Sequence, residues 1–339
     1  MEYLFDDVLE IKNGKNQKAV ENPTGQYPIY GSGGVMGYAD DYICEADTVI
    51  IGRKGSINNP IYVAEPFWNV DTAFGLSAKK EYLLPRYLFY FCKKFDFEKL
   101  NKTVTIPSLT KSDLLKIKID LPSKEEQQNV VNKLTKIEKV IDFRRQELSA
   151  LDELIKARFV EMFGEYYKNH INEKQLDEIC DFIDYRGKTP EKSESGIPLI
   201  TAKNVKDNRF SIEPQEFIPE ENYDDVMTRG IPRVNDVLFT TEAPLGNVCR
   251  IPDVYERFCV GQRLITMQPH TDVINPEYLE HALTSAEFQE KMWQKSSGST
   301  VKGIRSKLLV LLTIPVPPIE LQNQFRDFLK QVDKSKFDS

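Results

Sequence analysis

Three short stretches hold residues whose types and spacing could do chemistry. Asn59-Pro60-Ile61-Tyr62 has part of the Asn-Pro-Pro-aromatic pattern with which amino-methyltransferases grip an exocyclic nitrogen, and the run YGSGGVMGY from Tyr30 could pass for the glycine-rich cofactor turn of such an enzyme. The second proline is missing, and too few residues separate the two stretches to hold the βαβ units that such a cofactor fold places between them. Glu10-Ile11-Lys12 has a nuclease-like spacing but stands alone. No Walker lysine loop, no Ser-His-Asp order and no carboxylate cluster is visible. His170, His270 and His281 form no HExxH spacing, and the five cysteines form no CxxC pair, so neither a metal site nor a disulfide framework is indicated. Buried thiols are the expectation for Cys44, Cys92, Cys180, Cys249 and Cys259. The chemistry on offer is therefore binding, not catalysis.

Binding is where the charge distribution points. Residues 291–307, KMWQKSSGSTVKGIRSK, carry Lys291, Lys295, Lys302, Arg305 and Lys307 without an acidic residue, and residues 99–111, KLNKTVTIPSLTK, are likewise free of acids. A charge run taken alone is as readily a solvated face. Recurrence at an equivalent place, with Ser, Thr and Gly at hand to bond phosphates, favours DNA. GRKGS from Gly52 and YRGKTP from Tyr185 are further candidates, in which Arg53 or Lys54 could pair with a guanine edge. The net charge of -7 does not oppose this reading, because the cations are clustered.

These loops need a scaffold, and the sequence writes one twice. IKIDLPSKEEQQNVV from Ile117 and LTIPVPPIELQNQFR from Leu312 share two apolar residues, a proline, Glu and Gln, and then a helix. Upstream, Gly14-Lys15 answers Gly187-Lys188, Pro28 answers Pro198, Asp47 answers Asp236, and Pro85 answers Pro276, always in the same order. Short β-branched runs such as TVIIG, PIYVA, DVLFTT and LITMQP read as strands, while YLFYF and YLEHAL behind Pro85 and Pro276 read as helices with a first-turn proline. The expected fold class is α+β, with two mixed modules in tandem and a pseudo-two-fold repeat. Residues 1–122 and 169–317 form the modules, 123–168 a long central helix, and 318–339 a short C-terminal helix.

The central helix has its own pattern. Leu134, Ile137, Ile141, Leu148, Leu151, Ile155 and Met162 alternate by three and four, a coiled-coil stripe, with Ser123 and its acidic followers at the start and Gly164 as the stop. The C-terminal copy places Leu321, Phe325, Phe328 and Val332 alike. Packed antiparallel, the shorter helix can cover only the C-terminal half of the long one. Val130, Leu134, Ile137 and Ile141 are then left for a partner. No run approaches the roughly 18 apolar residues of a membrane span, and the acidic start lacks a secretion pattern, so a cytoplasmic protein is expected.

Taken as an ensemble, GKNQK…YPIYGSGGVMG, TVIIGRKGS and PFWNVDTAFGL in the first half, RGKTPEKSESGIPLITAKNV, DVLFTTEAPLGNV and GSTVKGI in the second, and both proline–Glu–Gln motifs resemble the specificity subunit of type I restriction-modification systems. The resemblance implies two target-recognition domains that each read half of a bipartite double-stranded DNA site; by analogy with other two-module readers, the halves are expected about one helical turn apart. It also implies helices that dock two modification subunits, with a restriction subunit joining. The chain itself would be non-catalytic and hold no cofactor, S-adenosylmethionine and ATP with magnesium belonging to its partners. The candidate DNA contacts are Lys15, Arg53, Lys54, Ser56, Lys102 and Lys111 in the first module, and Arg186, Lys188, Thr241, Lys295, Ser299, Lys302 and Arg305 in the second. The candidate partner surface is Val130, Leu134, Ile137, Ile141, Phe325 and Phe328, with a second copy of the chain as the other occupant. The competing readings are an autonomous repressor-like DNA-binding protein and a DNA methyltransferase with a degenerate motif. Purified chain that binds tightly or methylates unaided would favour these.

Overall fold

The computed structural model of the chain describes every residue except 102–105, 186–189, 207 and 339, with the backbone alone at 337 and 338. The chain divides into two compact units, Met1–Arg145 and Gln146–Ser339.

The first unit runs through β1 (Glu2–Leu4), the single turn α1 (Phe5–Val8), β2 (Leu9–Asn13), β3 (Tyr27–Gly31), β4 (Gly34–Ala39), β5 (Thr48–Gly52), β6 (Ile61–Val63), β7 (Trp68–Asn69) and β8 (Ala73–Ala78). It continues with α2 (Pro85–Lys94), α3 (Lys111–Leu114), β9 (Lys118–Asp120) and the start of α4 (Lys124–Lys168). Three sheets result, ordered β2-β8-β5-β6, β4-β3-β7 and β1-β9. TVIIG is buried at all five positions because β5 is covered on both faces, which is why it reads as an unbroken apolar run. The α2 helix begins at Pro85, where a missing N–H costs nothing, and buries Leu88, Phe89 and Cys92 on the sheet side.

The second unit repeats the plan with insertions. It contains β10 (Glu173–Gln175), α5 (Leu176–Ile179), β11 (Cys180–Asp184), β12 (Ile197–Ile200), β13 (Val205–Lys206), β14 (Arg209–Phe210), β15 (Phe217–Ile218), α6 (Tyr223–Val226), β16 (Val237–Thr241), β17 (Leu245–Arg250), β18 (Cys259–Val260) and β19 (Leu264–Pro269). It ends with α7 (Pro276–Leu283), α8 (Ala286–Lys295), α9 (Ser306–Leu309), β20 (Thr313–Pro315) and α10 (Ile319–Asp338). Its sheets, β11-β19-β16-β17, β15-β12-β18 and β10-β20, match those of the first unit strand for strand; the β13-β14 ribbon is extra. Even the one parallel pairing recurs, β3 with β7 and β12 with β18.

The repeated Gln of the proline motif has a structural job. Gln127 is buried; its Oε1 accepts from the Leu84 N–H at 2.9 Å, and its Nε2 donates to the Tyr82 and Pro122 carbonyls at 2.9 and 3.1 Å. Gln322 does the same with the Asn275 N–H, at 2.9 Å, and with the Val273 and Pro317 carbonyls, at 3.1 and 2.7 Å. One side chain thus pins the first turn of α4 or α10 to the loop that starts α2 or α7. Buried peptide groups without such a partner would be costly.

Helix α10 packs antiparallel on the C-terminal part of α4: Lys336 meets Asp152 at 2.9 Å, while Phe325 lies 5.5 Å from both Phe159 and Phe163, centroid to centroid. Two corrections follow. Gly164 does not stop α4, because Phe159, Phe163 and Tyr167 carry the helix on by packing into the second unit's core, and the helix ends only at Lys168. Phe325, expected to face a partner, is fully buried in that core, and Phe328 is packed at its edge. All five cysteines are buried free thiols.

Candidate nucleic-acid interface

Strand register decides which candidates meet. In the first unit Asn13 pairs with Phe74 and Gly52 with Ala73, so the ends of β2 and β5 and the start of β8 lie at one end of the sheet. Lys15, Arg53–Ser56 and Asp71–Thr72 therefore gather there, although the sequence scatters them. Each is held by backbone. Lys15 donates its N–H to Asn69 O at 2.8 Å and accepts from Trp68 Nε1 at 3.1 Å. Gly14 beside it allows no side chain, since a Cβ would lie 1.8 Å from Val70 O. Arg53 N–H bonds Thr72 O at 2.7 Å, Arg53 O accepts from Leu109 N at 2.9 Å, and Gly55 N–H bonds Pro107 O at 3.0 Å. The basic loop is thereby tied to the end of β5. Arg53, Lys54 and Ser56 are exposed there. The Arg53 guanidinium reaches Asp71 O at 3.4 Å, and Lys54 has no ion-pair partner among the described residues. Lys111 stands apart: its ammonium is spent on Ile11 O at 2.7 Å.

The second unit uses the same construction. Asp184 pairs with Ile265 and Thr240 with Leu264, which brings the ends of β11 and β16 and the start of β19 together. Thr241 N–H bonds Arg263 O at 3.1 Å and Thr241 O accepts from Ile304 N at 3.1 Å, the counterparts of the two Arg53 bonds. Residues 297–303 close a small loop through two 2.9 Å bonds between Ser297 and Gly303, with Ser299 and Lys302 exposed at its tip and Arg305 just beyond. Gly298 takes a φ of +115° in this turn, and a Cβ would meet Val301 O at 2.0 Å. Lys302 and Arg305 have no ion-pair partner among the described residues.

Several sequence expectations shift. Thr241 is buried and its hydroxyl donates to Arg263 O at 3.2 Å, so it positions its neighbours instead of offering a free hydroxyl. Lys291 and Lys295 sit on α8, not in the loop, and Lys291 is neutralised by Glu287 at 2.7 Å and Glu173 at 3.1 Å. His170 joins these two carboxylates, with ligand atoms within 4.8 Å, but the Lys291 ammonium already supplies their cation. Lys102, Arg186 and Lys188 lie outside the described residues. Sequence reasoning missed Arg263, whose position before β19 shows only once the register is known.

On α4 the apolar stripe is exposed toward its N-terminal half: Ile137 is 54% exposed and Ile141 44%. Val130 is exposed while Val131, next to it, is buried; Leu134 is half-buried.

The family described as Type I restriction modification DNA specificity domain matches residues 2–153 and 169–339. The chain belongs to that family. It is the DNA specificity subunit of a type I restriction-modification system, itself non-catalytic. This specificity subunit is 24% identical over 309 residues to the type I restriction enzyme MjaVIII specificity subunit of Methanocaldococcus jannaschii, covering 85% of this chain and 70% of that one. It is 22% identical over 288 residues to the putative type I restriction enzyme MjaX specificity subunit of the same organism, covering 76% of this chain and 63% of the relative. Its fold is similar to that of the type I system S subunit from M. genitalium, with a TM-score of 0.64 at 19% identity, over 99% of this chain and 90% of the other. No described helix of the specificity subunit is long and apolar enough to cross a membrane.

Proposed function

We propose that the subunit reads a bipartite, asymmetric double-stranded DNA site, one half with the loop cluster at the sheet end of each unit. The observation that carries this is the paired construction just described, in which identical backbone bonds hold different side chains. The first unit sets Arg53 and Lys54 where the second sets Thr241 and Glu242. Shared scaffold with unlike loops is what two unlike half-sites require, since base edges are distinguished by the donors and acceptors presented to them. Lys15, Lys54, Lys302 and Arg305 supply phosphate neutralisation around those loops.

Modification subunits dock on the exposed stripe of α4 around Ile137 and Ile141. A contiguous apolar surface left in water is a usual mark of an interface, and a specificity subunit needs a partner to act on the DNA it selects. The test is co-expression with cognate modification subunits followed by sequencing for methylated bases. The expected motif has two unlike specified halves around an unspecified spacer. A continuous or palindromic motif overturns the proposal.

A further inference from the structure

The turn Gly261–Arg263 before β19 is held more rigidly than its exposure suggests. Gly261 N–H bonds Ile200 O at 2.7 Å, Leu264 N–H bonds Gly261 O at 3.3 Å, and Arg263 O accepts both the N–H and the hydroxyl of Thr241, at 3.1 and 3.2 Å. The backbone is thus fixed while two side chains remain available. The Gln262 amide makes no hydrogen bond among the described residues. The Arg263 side chain is 55% exposed, and among the described residues its one ion pair is with Glu242, Nε to Oε1 at 3.4 Å.

These two side chains occupy a particular place. Two clefts, of about 450 and 390 Å³, open at this end of the second unit, and Gln262 and Arg263 line both. Lys206 lines the first cleft and Arg305 the second, neither with an ion-pair partner among the described residues. The turn therefore lies between the two clefts, with one such cation in each.

Comparison with the first unit sharpens the assignment. The backbone bond from Thr241 to Arg263 corresponds to that from Arg53 to Thr72, so Arg263 answers Thr72 and Gln262 answers Asp71. An arginine reaches across between the two loops in each unit, but from opposite sides and to different partners. In the first unit Arg53, on the loop after β5, reaches Asp71 O at 3.4 Å; in the second, Arg263, on the loop before β19, reaches Glu242. The long cationic side chain has moved from one loop to the other.

We propose that Arg263 and Gln262 are the specificity-determining residues of the second unit, reading base edges in its half-site, while Lys206 and Arg305 hold phosphates on either side. The chemistry fits: an arginine fork matches the two acceptors of guanine and a glutamine amide the acceptor–donor pair of adenine in the major groove. Glu242 lies 3.4 Å from Nε, and the terminal nitrogens have no ion-pair partner among the described residues. This inference rests on the DNA-reading function proposed above.

The experiment maps the methylated motif of the complete complex, formed by co-expression with cognate modification subunits, for wild type, Arg263→Ala, Arg263→Lys and Gln262→Ala. Wild type tests the function itself, because absence of a bipartite motif sinks that reading before any variant is considered. With the bipartite motif present, the variants should relax one specified position in one half-site, raising methylation of sites changed at that base by roughly 10-fold or more relative to intact sites. The other half should stay unchanged. An unaltered motif in the variants, or an even fall at all sites with the motif unaltered, overturns the inference. If Arg263→Ala gives no methylation, Arg263→Lys decides, since it keeps the charge and loses the fork. A relaxed motif supports the assignment, and an unaltered motif or no methylation refutes it.

Discussion

At the residue scale the clearest consequence attaches to Gln127 and Gln322. Each is itself buried and satisfies one backbone N–H and two carbonyls. Gln127→Ala and Gln322→Ala should each destabilise their own unit by roughly 2–4 kcal/mol, the cost of leaving buried polar groups unpaired. The neighbouring Gln128→Ala, which loses only an exposed bond to Asn132, should stay within about 0.5 kcal/mol. Denaturant titration of the three variants checks this; equal effects at 127 and 128 would refute the latch. His281 gives a second test. Desolvation between Phe159 and Phe325, with the charges of Arg250 and Lys336 adding to it, pushes its pKa down to about 4. Between pH 6.5 and 4 the unfolded chain therefore binds a proton that the folded one refuses, and stability falls as the pH drops through that window. The loss amounts to at most about 3 kcal/mol. His281→Gln should flatten this part of the pH dependence; an unchanged slope would show that other groups cause it.

At the element scale, the roles proposed for α4 and for the basic loop of the second unit can be tested separately. Ile137→Asp with Ile141→Asp should abolish co-purification with modification subunits and leave the melting of the free chain unaltered, because both positions are exposed and a carboxylate is costly only when an interface buries it. An assembly of the same size from the double variant would send the stripe back to being a solvated face. Lys302→Ala with Arg305→Ala should weaken DNA binding about equally across sequences and lower the salt slope by about two units, roughly one per lost phosphate contact. Fluorescence titration at several salt concentrations reads this directly, and an unchanged slope removes both residues from the interface. The sequence made some of these elements legible and not others. Pro85 and Pro276 announced helix starts because a first-turn proline has a local physical reason, and TVIIG announced a strand. Phe159 and Phe163 escaped the heptad reading because beyond Ile155 α4 packs against Tyr278 of α7 as well as Phe325 of α10, so a single helix–helix seam does not set its buried face. The gathering of Lys15, Arg53 and Asp71 was out of reach for a different reason: it depends on strand register, which periodicity alone does not fix.

At the scale of the whole molecule, the repeat was readable because its landmarks sit at element boundaries, where proline and glutamine have specific work, whereas the loops between them have diverged. Phe163 belongs to a hydrophobic cluster of the second unit, with Tyr278 and Phe325. Phe163→Ala, at a fully buried position, should therefore destabilise the second unit by roughly 3–5 kcal/mol while the first keeps its own transition. Hydrogen exchange resolved by peptide should show the difference, and equal loss of protection in both units would mean that they unfold as one.

The buried thiols turn that question into a kinetic one. Burial pushes the Cys44 and Cys259 thiols up to about 12 and raises Cys92, Cys180 and Cys249 as well, so the thiolate that an alkylating reagent needs is scarce, and access to it is blocked, while the fold is intact. Cys44 and Cys92 lie in one unit, and Cys180, Cys249 and Cys259 in the other. Each half of the molecule thus carries its own silent clock, which starts only when that half opens and can be read by mass, without adding a probe.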